Sequence, residues 1–496
     1  MALFDSLIRW LIPDLKAKAP GSGGKEKIER RTGVNNAFAP TSSVPDAVAC
    51  LIADFDGPEG DSFAERLVGP IGTFPGISLL RRKESLRLVG SGNSGDKLAS
   101  AVERGMAWIQ EAATGLLIWG EISPESGLAT LRILPALAEP DGAVGAIGSA
   151  DEFEIPVDLA GDSGRVIAAM VFAVAARGNA KGKRLAVESL RKLLTELPEP
   201  AAVAAAGLQP SVAASLLLGL GHAHAADSKN GGGSARLEQS LACYRAACER
   251  LTALTKPGLW AQAQGHLAAG LSALAESQER PALMAEAVAV YRAMSETLTR
   301  IEQPNEWAQA QARFGAALYR LAQMEGKPAH YRDAATAYQQ ALSIFTQAAH
   351  PVRWSELMHQ YGVLLTALGE HISGTAALEQ AVLVFHKALN VRRRETLPLF
   401  WAQTASALGA AAFGLAKRNG DAAALREAVG CFEGALEIYG QLGQGQAIAV
   451  LQKNLLRARR LLETRGASLA DDVAPMDKDA APAAAKTAQA APERKK

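Results

Sequence analysis

"PNEWAQAQARFGAALYRLAQ", from Pro304 to Gln323, decides the fold, because its landmarks return at a fixed interval. Its tryptophan belongs to the series Trp260, Trp307, Trp354 and Trp401, each 47 residues from the next. The same interval carries Pro210, Pro257, Pro304, Pro351 and Pro398. It also carries Tyr244, Tyr291, Tyr338, Phe385 and Phe432, and Leu237, Met284, Tyr331, Leu378 and Leu425. Four columns in register mark an internal repeat, and a period of this size signals a stacked array.

Within a unit the columns read as two helices. Each Pro stands three residues before the Trp position, where it closes a loop and opens a helix. Trp307, Phe314, Leu318 and Leu321 then form one stripe of that helix. A second helix starts near Tyr331 and presents Tyr331, Ala334, Tyr338, Ala341, Leu342 and Phe345 on one face. The alanines let neighbouring helices approach, and the aromatic fills the gap beside them. A unit is therefore a pair of antiparallel helices of about 15–20 residues, roughly 25–30 Å long. One pair cannot bury its apolar face alone, whereas stacked pairs bury a continuous core. Trp354 is expected to be buried between units, and the array is expected to fold without the N-terminal half.

The pattern resembles the tetratricopeptide repeat family. Phe314-Gly315, Tyr361-Gly362 and Leu408-Gly409 match that family's Leu-Gly in the first helix. Ala334/Tyr338/Ala341, Ala381/Phe385/Ala388 and Ala428/Phe432/Ala435 match its A-x-x-x-F/Y-x-x-A in the second. The period departs from the family's usual length of about 34 residues, so its ligand-contact positions do not transfer directly. The resemblance implies an α-solenoid that binds other proteins. The fold class expected for the whole chain is α+β: a small N-terminal α/β module followed by an all-α, tetratricopeptide-like solenoid.

The array is expected over residues 210–462. Its first unit has Ala213 at the Trp position and a loop swollen by "DSKNGGGSAR". Beyond it, residues 463–496 are rich in Ala, Pro and Lys, and are expected to be disordered. Residues 46–150 read as the α/β module. "AVACLIADF" (Ala47–Phe55) and "GISLLRR" (Gly76–Arg82) are strands, and "SFAE" (Ser62–Glu65) is a capping box that opens a helix. Leu98, Val102, Met106, Ile109 and Ala113 form the face of a second helix, and "GLLIWGEI" and "GLATLRIL" pair around "SPES". This order resembles the small module that precedes the repeats in bacterial adenylate-cyclase-type and Tol-translocation-like proteins. "ADFDGPEGDSFAERLVGPIGTFPGISLLRR" and "ATGLLIWGEISPESGLATLRIL" carry that resemblance, which implies no catalytic residues. Residues 151–209 read as two or three connecting helices, and residues 18–45 as a linker.

Residues 1–17 read as an amphipathic helix with Phe4, Leu7, Ile8, Leu11 and Ile12 on one face. Asp5, Arg9 and Pro13 argue against a secretory signal. Packing on the protein itself is the simpler expectation, and contact with a membrane surface the other. The longest strongly apolar run elsewhere, "VIAAMVFAVAA" (Val166–Ala176), is too short to span a bilayer. Lys and Arg total 52 against 51 Asp and Glu. A nucleic-acid partner is not expected without a basic excess. Arg392, Arg393 and Arg394, a short basic run, read as a solvated helix end. Four scattered cysteines without C-x-x-C spacing point to free thiols in a reducing, cytoplasmic compartment.

Three patterns suggest chemistry. Gly90, Gly92 and Gly95 have G-x-G-x-x-G spacing, but the preceding "RRKESLRLV" is not the near-continuous apolar strand of a dinucleotide fold. Asp96 is placed to cap the following helix and to repel a pyrophosphate. A flexible capped turn is the simpler reading. Asp54, Asp56, Glu59 and Asp61 read as a polar loop, without calcium-loop spacing. His222 and His224 read as a surface pair lacking a third ligand. Cys243 and Cys431 share a column with Val290, Ala337 and Val384, which makes it a packing position. No cofactor or metal is expected.

First helices line the concave face of a helix-pair solenoid. Counting from Leu267, Phe314, Tyr361 and Leu408, a groove would be lined by Gln262, Gln309, Glu356 and Gln403, with His359, Tyr319 and Phe413 nearby. Such a groove suits a protein or peptide partner. The chain is therefore expected to be a non-enzymatic adaptor or scaffold. The alternative is a ligand-sensing regulator whose module binds a nucleotide or small anion at Gly90–Gly95. The amide column equally reads as solvated surface, or as bonds within the array.

Overall fold

A computed structural model describes residues 47–89, 94–137, 142–177 and 182–465. They fall into two compact units that divide between Glu325 and Gly326. The expected N-terminal helix, the linker and most of the tail lie outside the described residues.

The first unit opens with a five-stranded sheet in the order β2-β1-β3-β4-β5. The strands are β1 (Val48–Asp54), β2 (Ile77–Ser85), β3 (Leu116–Ser123), β4 (Leu128–Pro135) and β5 (Phe153–Pro156). Apolar β1 runs parallel to both β2 and β3. β3 and β4 form the antiparallel hairpin expected from the sequence, with Ile118 opposite Ile133. Leu51, Ala53, Leu117, Trp119 and Leu134 pack on one face against Ala101 and Ile109 of helix α2 (Ser94–Ala112). The alternating residues of each strand face the other way. There α1 (Gly60–Gly72) lies on β1 and β2 and buries Phe63, Leu67 and Ile71. The Ser62 capping box is not used. The helix begins at Gly60 after Glu59 in the left-handed region (φ 56°), and the Ser62 amide donates to Asp61 Oδ1 instead.

β5 corrects the reading of residues 151–209 as helices alone. This short strand pairs with β4 and is followed by α3 (Ser163–Ala175), α4 (Lys183–Glu196) and α5 (Pro200–Ala205). Helix pairs then follow: α6 (Pro210–Asp227) with α7 (Gly233–Cys248), and α8 (Pro257–Gln278) with α9 (Pro281–Thr297). Helix α10 (Pro304–Glu325) packs on α9 and ends this unit. The swollen loop is a kink at Ser228–Gly232 with non-helical backbone at Asn230 and Gly231, pinned by Asn230 Nδ2 donating to the Ala226 carbonyl.

Helix α6 is buried on all sides, with seventeen of its eighteen residues inside. Gly219 meets Met170 and Val166 of α3, where an added Cβ would stand 2.7 Å from the Met170 sulfur. Gly221, two residues on, lies under the Tyr244 ring of α7. The first helix of the array is thus sandwiched between the connecting helix α3 and its repeat partner α7. The expectation that the array folds without the N-terminal half is revised on that ground.

The second unit contains α11 (Pro328–Leu342), the pair α12 (Pro351–His371) and α13 (Ala376–Leu389), the pair α14 (Pro398–Asn419) and α15 (Ala422–Gln441), and α16 (Gly445–Thr464). Each of these helices packs on the next. Across both units the Pro column opens every first helix, where the missing N–H costs nothing. The aromatic column Tyr244, Tyr291, Tyr338, Phe385 and Phe432 is buried throughout, as is the Leu237 column. The signature glycine explains the pairing. A Cβ at Gly362 would meet Phe385 at 2.6 Å, and one at Gly409 would meet Phe432 at 2.7 Å. Phe385 and Phe432 therefore lie directly on the backbone of their partner helices.

The Trp column behaves differently. Trp307, Trp354 and Trp401 are only half-buried, which corrects the reading of Trp354 as a core residue. They sit in the first turns of their helices, and arginine covers two of them. Arg300 lies 5.9 Å from the Trp307 ring centroid and Arg394 5.3 Å from that of Trp401.

Candidate functional site

The seven candidate groove residues do not form one uniform surface. In the first unit, Gln262 Oε1 accepts the Glu152 amide at 3.0 Å, so this amide ties α8 to the segment leading into β5. Gln309 is half-buried. Tyr319 is buried, and its hydroxyl accepts from Gln323 Nε2 at 3.1 Å. In the second unit, Glu356 is half-buried and paired with Arg353 at 2.6 Å. His359 and Gln403 are buried. Phe413 packs on the cluster of Ala416, Ala424, Leu425 and Leu462. For Gln262 the structure shows a bond to the segment that precedes the array, neither a solvated surface nor a bond within the array. Gln309 and Glu356 are the other polar candidates that are half-buried rather than enclosed.

The chemical patterns resolve into structural contacts. Asp54 pairs with Arg81 at 2.5 Å, Asp56 with Arg87 at 3.1 Å and Glu59 with Arg66 at 3.7 Å, so these carboxylates meet separate cations. The Gly90–Gly95 loop lies outside the described residues, apart from the start of α2. His222 and His224 do not form a surface pair, because both are buried in α6 and each has its own partner. His222 Nδ1 lies 3.1 Å from the Tyr244 hydroxyl, and His224 Nδ1 lies 3.5 Å from Arg236. Burial pushes the thiols of Cys50, Cys243 and Cys431 well above the ordinary range, so these groups are poor nucleophiles. Among the described residues one helix, α14, is long and apolar enough to cross a membrane. It packs on α12, α13, α15 and α16, and most of it is buried.

Two polar clusters escaped the sequence reading. In the first unit, the His222 ring stands edge-on to His266 with centroids 4.4 Å apart, and His266 Nε2 lies 3.5 Å from Asp151 Oδ2. In the second unit, Arg392 is buried, against the reading of its run as a solvated helix end. Its Nη1 donates to Thr404 Oγ1 at 3.1 Å, and Thr404 Oγ1 lies 3.2 Å from His359 Nδ1. These residues are far apart in sequence, and periodicity gives no signal for such contacts.

Burial holds both central histidines neutral. The neighbouring His266 and Arg177 add to this at His222, and Arg392 adds to it at His359. An unfolded histidine titrates near pH 6.5. Below that value the unfolded chain takes up protons that the folded chain refuses. The stabilisation is therefore present above about pH 6.5 and is lost as pH falls, by up to about 2 kcal/mol per histidine at pH 5. Urea denaturation at pH 7.5 and 5.0 should show this loss, and His359→Gln should reduce it. An equal acid loss in wild type and variant would contradict the assignment.

No protein-family model matches the chain, and no curated protein matches it. Among solved structures it is similar to a DHF58 filament, at 19% identity over 42% of this chain and 95% of the other, with a TM-score of 0.21. It is also similar to the de novo designed helical repeat protein DHR64, at 18% identity over 54% and 97%, with a TM-score of 0.14. At such scores neither likeness carries an argument, and the helical repeat architecture rests on the elements described above.

Proposed function

We propose that the chain is a non-enzymatic adaptor or scaffold that grips a protein or peptide partner along the first helices of its repeats. One observation carries this reading: the units use the same buried residues for packing, above all the aromatic column. The first helices are then free to differ where they meet solvent, as at Gln309 and Glu356. Ladders of helix pairs present long surfaces suited to peptides. The tetratricopeptide-like positions Phe314-Gly315 and Ala334/Tyr338/Ala341 support the same reading. So does the structural employment of groups otherwise suited to chemistry, since His222 is engaged by Tyr244 and His359 by Thr404. The near-zero net charge argues against a nucleic-acid partner. The unpaired thiols favour a reducing, cytoplasmic location.

The test is affinity capture with the full chain, followed by titration of the purified partner. Saturable binding is expected. Gln309→Arg, which places a bulky charge on a half-exposed position, should weaken it about tenfold or more, a change of about 1.4 kcal/mol. Its stability should move by no more than about 0.5 kcal/mol. A partner indifferent to Gln309→Arg, or no saturable partner at all, would contradict the reading.

A further inference from the structure

The repeat that begins at Pro351, together with Thr404 of the repeat after it, breaks the pattern of the other units in four places at once. Arg392 stands where the preceding units have Leu251, Leu298 and Phe345, all buried. Thr404 stands in a column of Ala263, Ala310 and Leu357, and Ser355 in a column of Ala261, Ala308 and Ala402. His359 stands where the others have Gly265, Ala312 and Ser406. The fold brings these four substitutions into one cluster. Arg392 Nε donates to Ser355 Oγ at 3.4 Å and Nη1 to Thr404 Oγ1 at 3.1 Å, with His359 on the same hydroxyl. Packing does not require a buried charge here, because the other units fill the Arg392 position with Leu251, Leu298 and Phe345. A buried ion generally costs stability relative to such a filling.

The guanidinium lacks a charged partner. It is 4% exposed, and no carboxylate of the described residues lies within ion-pair distance of it. Glu356 is the nearby acid, but it is engaged by Arg353 at 2.6 Å. Burial lowers the Arg392 pKa to about 10, the mark of a cation short of compensation. Its Nη2 makes no hydrogen bond to a described residue and is not sealed from solvent. Phe400, whose ring centroid lies 5.2 Å from the guanidinium carbon, is exposed, as is Val352 in the first turn of α12. The buried cluster thus leaves Arg392 Nη2 without a hydrogen bond beside exposed apolar surface.

We propose that Arg392, supported by Ser355, Thr404 and His359, is the receptor for a single carboxylate carried by an acidic peptide segment of the partner. Arg353 and Glu356 cancel, so the cluster holds one net positive charge. A carboxylate neutralises it, whereas a phosphate dianion would leave a net negative charge in a nearly buried site. The planar guanidinium edge matches the carboxylate in shape, and Phe400 and Val352 offer contact to neighbouring apolar side chains. The inference rests on the scaffold reading and names the chemistry of what the array grips.

The test uses the full chain and a fluorescent hexaglutamate peptide, with hexaglutamine and inorganic phosphate as controls. Hexaglutamate should bind, and neither control should. Arg392→Leu, which restores the residue of the earlier units, should weaken hexaglutamate at least about tenfold and should melt no lower than wild type. Arg393→Leu, which removes an exposed neighbouring charge, should change nothing. Unaltered binding by Arg392→Leu, an equal loss with Arg393→Leu, stronger binding of phosphate, or a lower melting temperature for Arg392→Leu would each overturn the proposal. A captured partner that binds Arg392→Leu normally but not Gln309→Arg would remove this site and leave the scaffold reading intact. Absence of any saturable partner would remove both.

Discussion

A fragment beginning at Pro210 and ending at Arg465 should aggregate, or melt well below the chain that includes the sheet module. The reason lies in α6, which carries no charged residue before Asp227 and is buried on every side. Ser215 Oγ accepts the Glu154 amide from β5 at 2.9 Å, and Gly219 rests on Val166 and Met170 of α3. Val212 and Leu216 share that face by helical spacing and are buried. Removing the module exposes this face. At about 1.5–3 kcal/mol for each large side chain, the loss is on the order of 5 kcal/mol, a large part of the stability of a typical domain. A solenoid end normally carries a polar outer face, and here the module takes that place. Circular dichroism melts and size-exclusion chromatography of the two proteins provide the check. A fragment that stays monomeric and melts with the longer chain would show that α6 tolerates solvent.

Phe385→Ala should cost about 3–5 kcal/mol in the second unit, as for other large-to-small changes at fully buried aromatics. The ring has no exposed surface and lies against the backbone at Gly362, so neighbouring side chains cannot simply slide into the cavity. Trp354→Ala should cost much less, about 1–2 kcal/mol, because its side chain already meets solvent across part of its surface. Guanidinium denaturation of both variants separates the two columns. Equal losses, or a larger loss for Trp354→Ala, would mean that the tryptophan column carries the core.

That contrast shows how far the sequence could be read. A recurring residue reveals that its position is constrained, but not what constrains it. The aromatic and tryptophan columns are equally regular, yet one fills the gap between paired helices and the other caps their first turns beside arginine. β1 to β4 were legible as apolar runs between turns. β5 was not, because four residues, "FEIP", carry too short an alternation to register. The absence of charge in α6 was visible, but its sandwiching depends on where α3 returns. Arg392 reads as surface because arginine usually is surface. Only its column partners Leu251, Leu298 and Phe345 hinted otherwise. Gln262 and Gln403 were chosen for their register, but register does not reveal that the Glu152 amide occupies the first or that packing encloses the second.

The central claim is that the repeats hold a partner along their first helices while the columns beneath hold the fold. Amide hydrogen exchange of the full chain, with and without the captured partner, tests it most directly. The account predicts slowed exchange in α8, α10, α12 and α14, with little change in the sheet or in α1 to α5. Slowing confined to the sheet and its helices, or none anywhere at saturating partner, would contradict it.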